Sequence, residues 1–179
     1  KQGMRVLGLA WRPGNSDERV TFLGLAAMWD PPRPEVPAAI AAARAAGIRV
    51  VMVTGDHPET SAHIAGSVGI DNESVITGKH IAAASDADLA IHLTDTSLFA
   101  RVLPEHKLRL VDGFRAMGHV VAVTGDGVND ALAVKRADVG IAMGKRGSDV
   151  TREVADIVLL DDNFTTIVAA VAEGRSIYE

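Results

Sequence analysis

The sequence contains no cysteine, so disulfide scaffolds and thiolate metal sites are excluded. For the same reason, cysteine usage does not indicate whether the protein works in an oxidising or a reducing compartment. Long hydrophobic runs are also missing. The longest ones, at residues 48–53 and 167–172, fall well short of the roughly 20 residues that a membrane-spanning helix requires. These residues also lack a signal-peptide pattern, in which a basic segment precedes an apolar core and a small-residue cleavage site.

Basic residues are not in excess either. The 18 Lys and Arg are outnumbered by 23 Asp and Glu, and no basic run or basic helix face could follow a phosphate backbone. We therefore do not expect nucleic acid as a partner. The 47% hydrophobic and 23% charged content of the 179 residues is typical of a folded chain with one main domain.

From about residue 30 onward, short Val- and Ile-rich runs alternate with helical segments, which predicts an α/β fold with a parallel sheet covered by helices. Strands are predicted at 48–53, 98–102, 119–123, 139–143 and 156–160. Helices are predicted at 34–46, 58–68, 104–117, 129–136 and 148–154, from about Asp86 with Ser85 as N-cap, and from about Asn163. The rest of the segment between residues 69 and 97 is predicted to be irregular, and residues 4–28 are predicted to form a hairpin.

Polar residues follow the strand that ends at Val123. The string TGDGVND places Asp126 on a glycine-flanked loop and Asn129 and Asp130 at the start of a helix. Two carboxylates four residues apart, with an amide nearby, suit a hard ion such as magnesium, which also keeps waters and shares a substrate phosphate. The alternative is that each aspartate simply caps a helix. Capping explains one carboxylate, but not two together with two glycines.

A second TGD string, Thr54, Gly55 and Asp56, follows the strand that ends at Val53. In a parallel sheet both strings would lie at the carboxyl edge, where ligands gather. A hydroxyl and exposed backbone amides can stabilise the oxygens of a transferring phosphoryl group. Taken alone, this string is more typical of an ordinary turn after a buried strand, and only its partner after Val123 favours the functional interpretation.

Lys107 lies in the first turn of the helix predicted from Pro104, the end at which the helix dipole disfavours a cation. This position favours a functional role, in which the ammonium offsets charge between a phosphate and nearby carboxylates. The alternative is a solvated surface lysine. Arg101, before this helix, is interpreted either as a nucleotide contact or as one partner of a surface ion pair.

Other chemistry-bearing residues are given structural roles. The six histidines are scattered, with no spacing that predicts a zinc or iron site. Trp11, Trp29 and Phe114 are expected to fill the core. Neither TGD string is part of a dinucleotide-binding fingerprint.

With these residues in place, the chain closely resembles the phosphorylation domain of P-type ATPases, which belong to the haloacid dehalogenase superfamily. The matching strings are DPPRPEV, GIRVVMVTGD, ARVLPEHK, VTGDGVNDA, ADVGIAMG and LLDDNFTTIVAAVAEGRSIY. The last of them is most similar to the type II branch, which includes calcium and sodium/potassium pumps. The resemblance implies a Rossmann-like parallel sheet with helices on both faces, and ATP and magnesium as substrate and cofactor.

The resemblance also implies roles for individual residues. Asp126 would bind magnesium, Asp130 would bind or support the same ion, and Asn129 would lie beside the phosphate. The remaining roles concern the phosphoryl group and the nucleotide. Thr54 and Gly55 would bind phosphoryl oxygens, Lys107 would neutralise charge, and Asp56 and Arg101 would lie near the nucleotide.

The family's aspartate nucleophile lies in a DKTGT motif, which does not occur in this sequence. We therefore expect the sheet to lack the strand that carries the nucleophile, and the chain alone to be inactive. Leu132 stands where the family usually has proline, which should alter rigidity rather than ion binding.

Three regions follow from the resemblance: residues 1–29 as the tail of a nucleotide-binding domain with its return hinge, 30–172 as the phosphorylation domain, and 173–179 as the approach to a membrane helix. The parent would be a membrane protein that couples an aspartyl-phosphate to cation transport, with this domain on the cytoplasmic side. Its nucleotide-binding, actuator and membrane domains would be the partners. The alternatives are a soluble phosphatase of the same superfamily and a noncatalytic binding module.

Overall fold

The structure, a computed structural model, describes residues 4–12, 14, 20–28 and 30–178. Its strands are β1 (Arg5–Trp11), β2 (Thr21–Met28), β3 (Met52–Val53), β4 (Val75–Thr77), β5 (Leu98–Ala100), β6 (Ala122–Gly125), β7 (Val139–Met143) and β8 (Ile157–Leu159). Its α-helices are α1 (Val36–Ala45), α2 (Pro58–Val68), α3 (Gly78–Ala83), α4 (Asp86–Asp95), α5 (Pro104–Ala116), α6 (Ala131–Arg136), α7 (Asp149–Val154) and α8 (Phe164–Tyr178). A 3₁₀ turn at Val128–Asp130 leads into α6.

The predicted hairpin is confirmed. β1 and β2 pair antiparallel from Arg5 opposite Met28 to Trp11 opposite Thr21, with an irregularity between Leu9 and Ala10. The expectation that Trp11 fills the core is wrong, because this residue is 57% exposed. A two-stranded ribbon offers no second layer to bury its side chains, and most of its other large apolar residues are exposed as well. Trp29 lies outside the described residues.

The α/β part is confirmed, and all of its strand pairs are parallel. They form two three-stranded sheets, with strand orders β3-β5-β4 and β6-β7-β8. The two strands that lead into the TGD strings, β3 and β6, are both edge strands. Each has a ladder partner on one side only, and β3 is shorter than the predicted strand at 48–53 because only Met52 and Val53 pair with β5. β6 likewise begins three residues later than the predicted strand at 119–123 and extends to Gly125.

Helices cover both faces of the first sheet, as expected. Phe99 packs with residues of α3, α4 and α5 on one face, while its neighbour Leu98 packs with residues of α1 and α2 on the other. Phe114 of α5 packs against the first of these clusters, as expected for a core aromatic. Successive strand residues point to opposite faces, so β5 supplies both halves of this core. Burying each such side chain contributes about 1.5–3 kcal/mol.

Helix boundaries match best where proline and glycine define them. α2 spans the predicted residues, with proline in its first turn and Gly69 in the left-handed conformation at its end (φ 83°). The Ser85 hydroxyl accepts a hydrogen bond from the Asp88 amide and caps α4 as predicted. In contrast, β4 and α3 lie in the segment that was predicted to be irregular. They are only three and six residues long, which is too short to show the hydrophobic periodicity of a strand or a helix.

The C-terminal helix α8 runs without interruption through the predicted boundary at 172/173. Arg33 donates a hydrogen bond to the Asp162 carbonyl just before α8, at 3.0 Å, which ties this end of the chain to α1. Within the described part of the chain, no helix has both the length and the apolar character needed to cross a bilayer.

Asp162 fixes the loop that follows β7. Its carboxylate accepts hydrogen bonds from the Lys145 and Arg146 amides, each at 2.9 Å, and its side chain is only 3% exposed. The Lys145 amide is the largest cause of a lowered pKa for Asp162. Burial opposes this effect, and the Arg146 amide reinforces it. The folded chain therefore stabilises the ionised carboxylate of Asp162 more than the protonated carboxyl group.

This lowered pKa predicts acid sensitivity. A carboxyl group with a depressed folded-state pKa contributes stability above its unfolded-state pKa and loses it as the pH falls through the folded-state value. We expect the difference in unfolding free energy between the wild type and Asp162→Asn to be constant near neutral pH and to shrink from about pH 5 downward. Urea unfolding at a series of pH values measures it, and a difference independent of pH would contradict the assignment. Asp88 and Asp161, whose pKa values are also lowered, are present in both proteins and cancel.

Candidate active site

The loop after β6 is folded around Asp130. One carboxylate oxygen, Oδ2, accepts hydrogen bonds from the Asp126 amide at 3.4 Å and the Gly127 amide at 3.3 Å. A Cβ at Gly125 would lie 2.5 Å from the Asp130 Cβ, so glycine is needed for this approach. Asp130 therefore closes the loop back on itself, and its contact with the Gly127 amide is that of the N3 residue in a capping box, as the helix-cap alternative expects for one of its oxygens.

Ser148 and Thr151, which sequence analysis did not single out as site residues, bind the carbonyl groups of this loop. The Ser148 amide donates to the Asp126 carbonyl at 2.8 Å, and the Thr151 hydroxyl donates to the Gly127 carbonyl at 2.8 Å. Thr151 is fully buried. A threonine in the first turn of α7, three residues after the helix-capping Ser148, was the available signal, but its partner lies 24 residues away.

Lys107 reaches the same loop from α5. Its Nζ lies 2.5 Å from Asp130 Oδ1, and the two side chains are only 23% and 13% exposed. The structure therefore favours an ammonium group held against Asp130 over the alternative of a solvated surface lysine. Since Oδ1 contacts the lysine and Oδ2 the loop amides, both oxygens of Asp130 already have partners.

The other TGD string forms a compact turn. The Thr54 hydroxyl accepts a hydrogen bond from the Asp56 amide at 3.1 Å and donates to the Asp56 carboxylate at 3.2 Å. Gly55 between them is exposed. This turn places a hydroxyl, bonded to Asp56, and an exposed glycine backbone at the end of β3, and their contact with phosphoryl oxygens stays a prediction.

The segment between β5 and α5 fixes that turn. The Val102 amide donates to the Thr54 carbonyl at 3.0 Å, and the Arg101 amide donates to the Asp56 carbonyl at 3.1 Å. Arg101 adopts a positive φ of 52°, which is uncommon for a residue with a side chain and is a mark of functional sites. Its side chain is exposed and makes no ion pair with the described residues, so the ion-pair interpretation has no support there.

The two TGD loops are linked through the start of α5. The residues just before this helix bind the Thr54 loop, and Lys107 in its first turn binds Asp130. Among the described residues, no hydrogen bond joins one loop directly to the other. The loops follow two edge strands that belong to different sheets. The structure therefore links the two loops through the start of α5 and not by direct contact, and their convergence on one phosphoryl group stays a prediction.

The donor set beside this lysine fits magnesium. The Asp126 carboxylate and the Asn129 amide are exposed and make no hydrogen bond or ion pair within the described part of the chain. In the same part, no three His, Cys, Asp or Glu side chains group as a metal site. Magnesium is usually held by one or two carboxylates, with waters and substrate phosphates completing its shell. Asp126, supported by Asp130, could supply that minimal protein contribution.

Comparisons with known proteins agree with these features. A family described as a haloacid dehalogenase-like hydrolase matches residues 9–138. The calcium-transporting ATPase of Bacillus subtilis (strain 168) is 46% identical over 189 aligned residues, which cover 99% of this chain. The cation-transporting ATPase pma1 of Synechocystis is 48% identical over 192 residues and 100% of this chain. The probable cation-transporting ATPase F of Mycobacterium bovis is 49% identical over 195 residues and 99% of this chain.

The chain spans 21% of the length of each of these three relatives. The resemblance that the motifs indicated is therefore confirmed as a similarity over essentially the whole chain to one part of much longer ATPases.

Proposed function

The chain belongs to the haloacid dehalogenase-like hydrolases, and from that premise we propose that it supplies the magnesium- and phosphate-binding half of the catalytic site of a cation-transporting ATPase. In this proposal the parent transfers the γ-phosphoryl group of ATP to an aspartate on a segment outside these 179 residues. Breakdown of the resulting aspartyl-phosphate drives cation movement across a membrane.

One observation carries the proposal: Lys107 contacts Asp130 beside two strands that each lack a neighbour. Each of these strands pairs in parallel with its one neighbour and leads into a TGD loop. An additional parallel strand that paired with β3 on one side and β6 on the other would complete a single sheet. A carboxylate at the end of that strand would then lie between the two loops, close to the ammonium.

The residues of this chain would act chiefly by position and charge. The Gly55 amide would donate a hydrogen bond to a peripheral phosphoryl oxygen, and the Thr54 hydroxyl would do the same by exchanging its hydrogen bond with the Asp56 carboxylate for one with the phosphoryl group. Lys107 would offset the negative charge that gathers where a phosphoryl group approaches carboxylates. Asp126, with Asp130 in support, would hold magnesium, which neutralises phosphate charge when bound.

The nucleotide would lie on the exposed side of the Thr54 loop. Asp56 and Arg101 border that side, and the positive φ of Arg101 lets its amide bind the loop while its side chain stays exposed. Asn129, exposed beside Asp126, would contact the phosphate from the other loop.

The proposal extends to the parent's organisation. Residues 1–29 would belong to a nucleotide-binding domain, which would cover the exposed apolar faces of the β1–β2 hairpin. Residues 30–172 would be the phosphorylation domain on the cytoplasmic side of the membrane, and 173–179 would extend α8 toward a membrane helix. Nucleotide-binding, actuator and membrane domains would be the partners within the parent.

Phosphorylation of the full-length parent by γ-labelled ATP tests this function. We expect a magnesium-dependent phosphoprotein that survives acid and is cleaved by hydroxylamine, as an acyl phosphate is. A parent that forms none and instead hydrolyses soluble phosphoesters would identify the phosphatase alternative. A parent that does neither, while binding magnesium and phosphate analogues, would identify a noncatalytic module.

A further inference from the structure

The first turn of α5 depends on a histidine. Leu103, the residue before the helix, has no side-chain oxygen with which to cap it. His106 takes over half of that task, because its Nδ1 lies 3.2 Å from the Leu103 amide and accepts its hydrogen bond. In return, the amides of His106 and Lys107 donate to the Leu103 carbonyl at 3.0 and 3.1 Å. The bond from the Leu103 amide to His106 is one of the two hydrogen bonds of a capping box, the one in which the third helical residue accepts from the amide of the N-cap residue. Here an imidazole takes the place of the usual Glu or Gln.

The histidine ring is held against α3. A Cβ placed on Gly78, the first residue of α3, would come within 2.7 Å of His106 Nδ1 and 2.3 Å of the Arg101 carbonyl oxygen. Only glycine allows this approach. The imidazole therefore packs against the first residue of α3, and its Nδ1 serves as the acceptor of the Leu103 hydrogen bond.

The same turn carries the link between the two TGD loops. Val102, which binds the Thr54 loop, immediately precedes Leu103, and Lys107, which binds Asp130, immediately follows His106. A shift of the Leu103 amide would therefore move both contacts together. The Lys107 side chain can rotate about four carbon–carbon bonds. Its ammonium therefore stays on Asp130 only if the backbone of Lys107 is held in place.

We propose that His106 is a positioning residue for the phosphoryl-transfer site. Its Nδ1 fixes the Leu103 amide, and through that turn it places the Lys107 ammonium on Asp130 while anchoring the Thr54 loop. This role rests on the proposed function for its catalytic consequence, although the cap itself can be tested in this chain alone.

The chain offers a matched control. His80 occupies the equivalent position in α3, where its Nδ1 accepts the Thr77 amide at 3.2 Å. Replacing either histidine removes the acceptor of the amide before its helix, and in α3 it also removes a contact with the Thr77 hydroxyl. However, α3 carries neither Lys107 nor a residue that is hydrogen-bonded to the TGD loops. A general loss of stability should follow both substitutions, whereas a positioning defect should follow only one.

In the full-length parent, we expect His106→Ala to slow phosphoenzyme formation about fivefold, the effect of losing one typical cap, with little change in KM for ATP. His106→Gln should restore the rate, because a glutamine at this position can reach back to the same amide. His80→Ala should leave the rate close to that of the wild type. An equal loss in His80→Ala, or no recovery in His106→Gln, would overturn the proposal.

Amide hydrogen exchange in the 179-residue chain separates this proposal from the proposed function. Leu103 should exchange about fivefold faster in His106→Ala than in the wild type, and at the wild-type rate in His106→Gln. Unchanged protection of Leu103 in His106→Ala would overturn the positioning role even in an active ATPase. A wild-type parent that forms no phosphoenzyme, with Leu103 exchange altered as expected, would refute the ATPase function and leave the cap standing.

Discussion

Replacing Lys107 with alanine is expected to slow phosphoenzyme formation in the full-length parent by about 10²–10³-fold, the usual loss when one preorganised charge-stabilising group is removed. The ammonium lies 2.5 Å from Asp130 and is largely shielded from water, so solvent screens it less than a surface charge. Its removal leaves a carboxylate uncompensated where the phosphoryl group would approach. Rapid-quench labelling with γ-labelled ATP measures the rate.

Two further variants identify the cause of that loss. Lys135→Ala removes an exposed lysine of α6 that makes no ion pair with the described residues, so its rate should stay near that of the wild type. In an Asp130→Asn background, Lys107→Ala should cost less than it does alone, because the two groups interact directly. Independent, additive losses would contradict a working Lys107–Asp130 pair, and a normal rate in Lys107→Ala would refute its catalytic role.

The sequence predicted the fold best where local chemistry dominates. Proline at the start and glycine after the end define α2 on their own, and Ser85 caps α4 through its own side chain. The edge strands β3 and β6 were harder, because a strand's length depends on which neighbours complete its ladder. Trp11 was misplaced for a related reason: alternation of apolar residues predicts a strand, but it does not say whether a second layer covers it.

The candidate site divides in the same way. Aspartates and a lysine at strand and helix ends could be proposed as site residues from the sequence, because one helix start needs only one cap and its dipole disfavours a cation. His106 and Thr151 could not. His106 caps the Leu103 amide with an imidazole where Glu or Gln is usual, and Thr151 acts through the Gly127 carbonyl, 24 residues away. A histidine in a helix's first turn looks like an ordinary surface residue until its ring nitrogen is seen against an amide.

Asp126→Asn should separate magnesium binding from loop structure. The Asp126 side chain makes no hydrogen bond or ion pair within the described part of the chain, so the substitution removes a charge while leaving the local contacts in place. We expect phosphoenzyme formation to fall by about 10²-fold or more at a fixed magnesium concentration, since a bound metal typically contributes several kcal/mol to transition-state stabilisation. The thermal stability of the 179-residue chain without added metal should hardly change.

Asp130→Asn provides the contrast, because it also weakens the contacts with Lys107 and the loop amides, and it should lower both activity and stability. Asp112→Asn, which disturbs only an exposed pair with Arg136, should affect neither by much. Titrating phosphoenzyme formation with magnesium in all three variants distinguishes the roles. If Asp126→Asn kept the wild-type magnesium dependence, the ion would have to be held elsewhere, and the loop after β6 would be a structural support for Lys107.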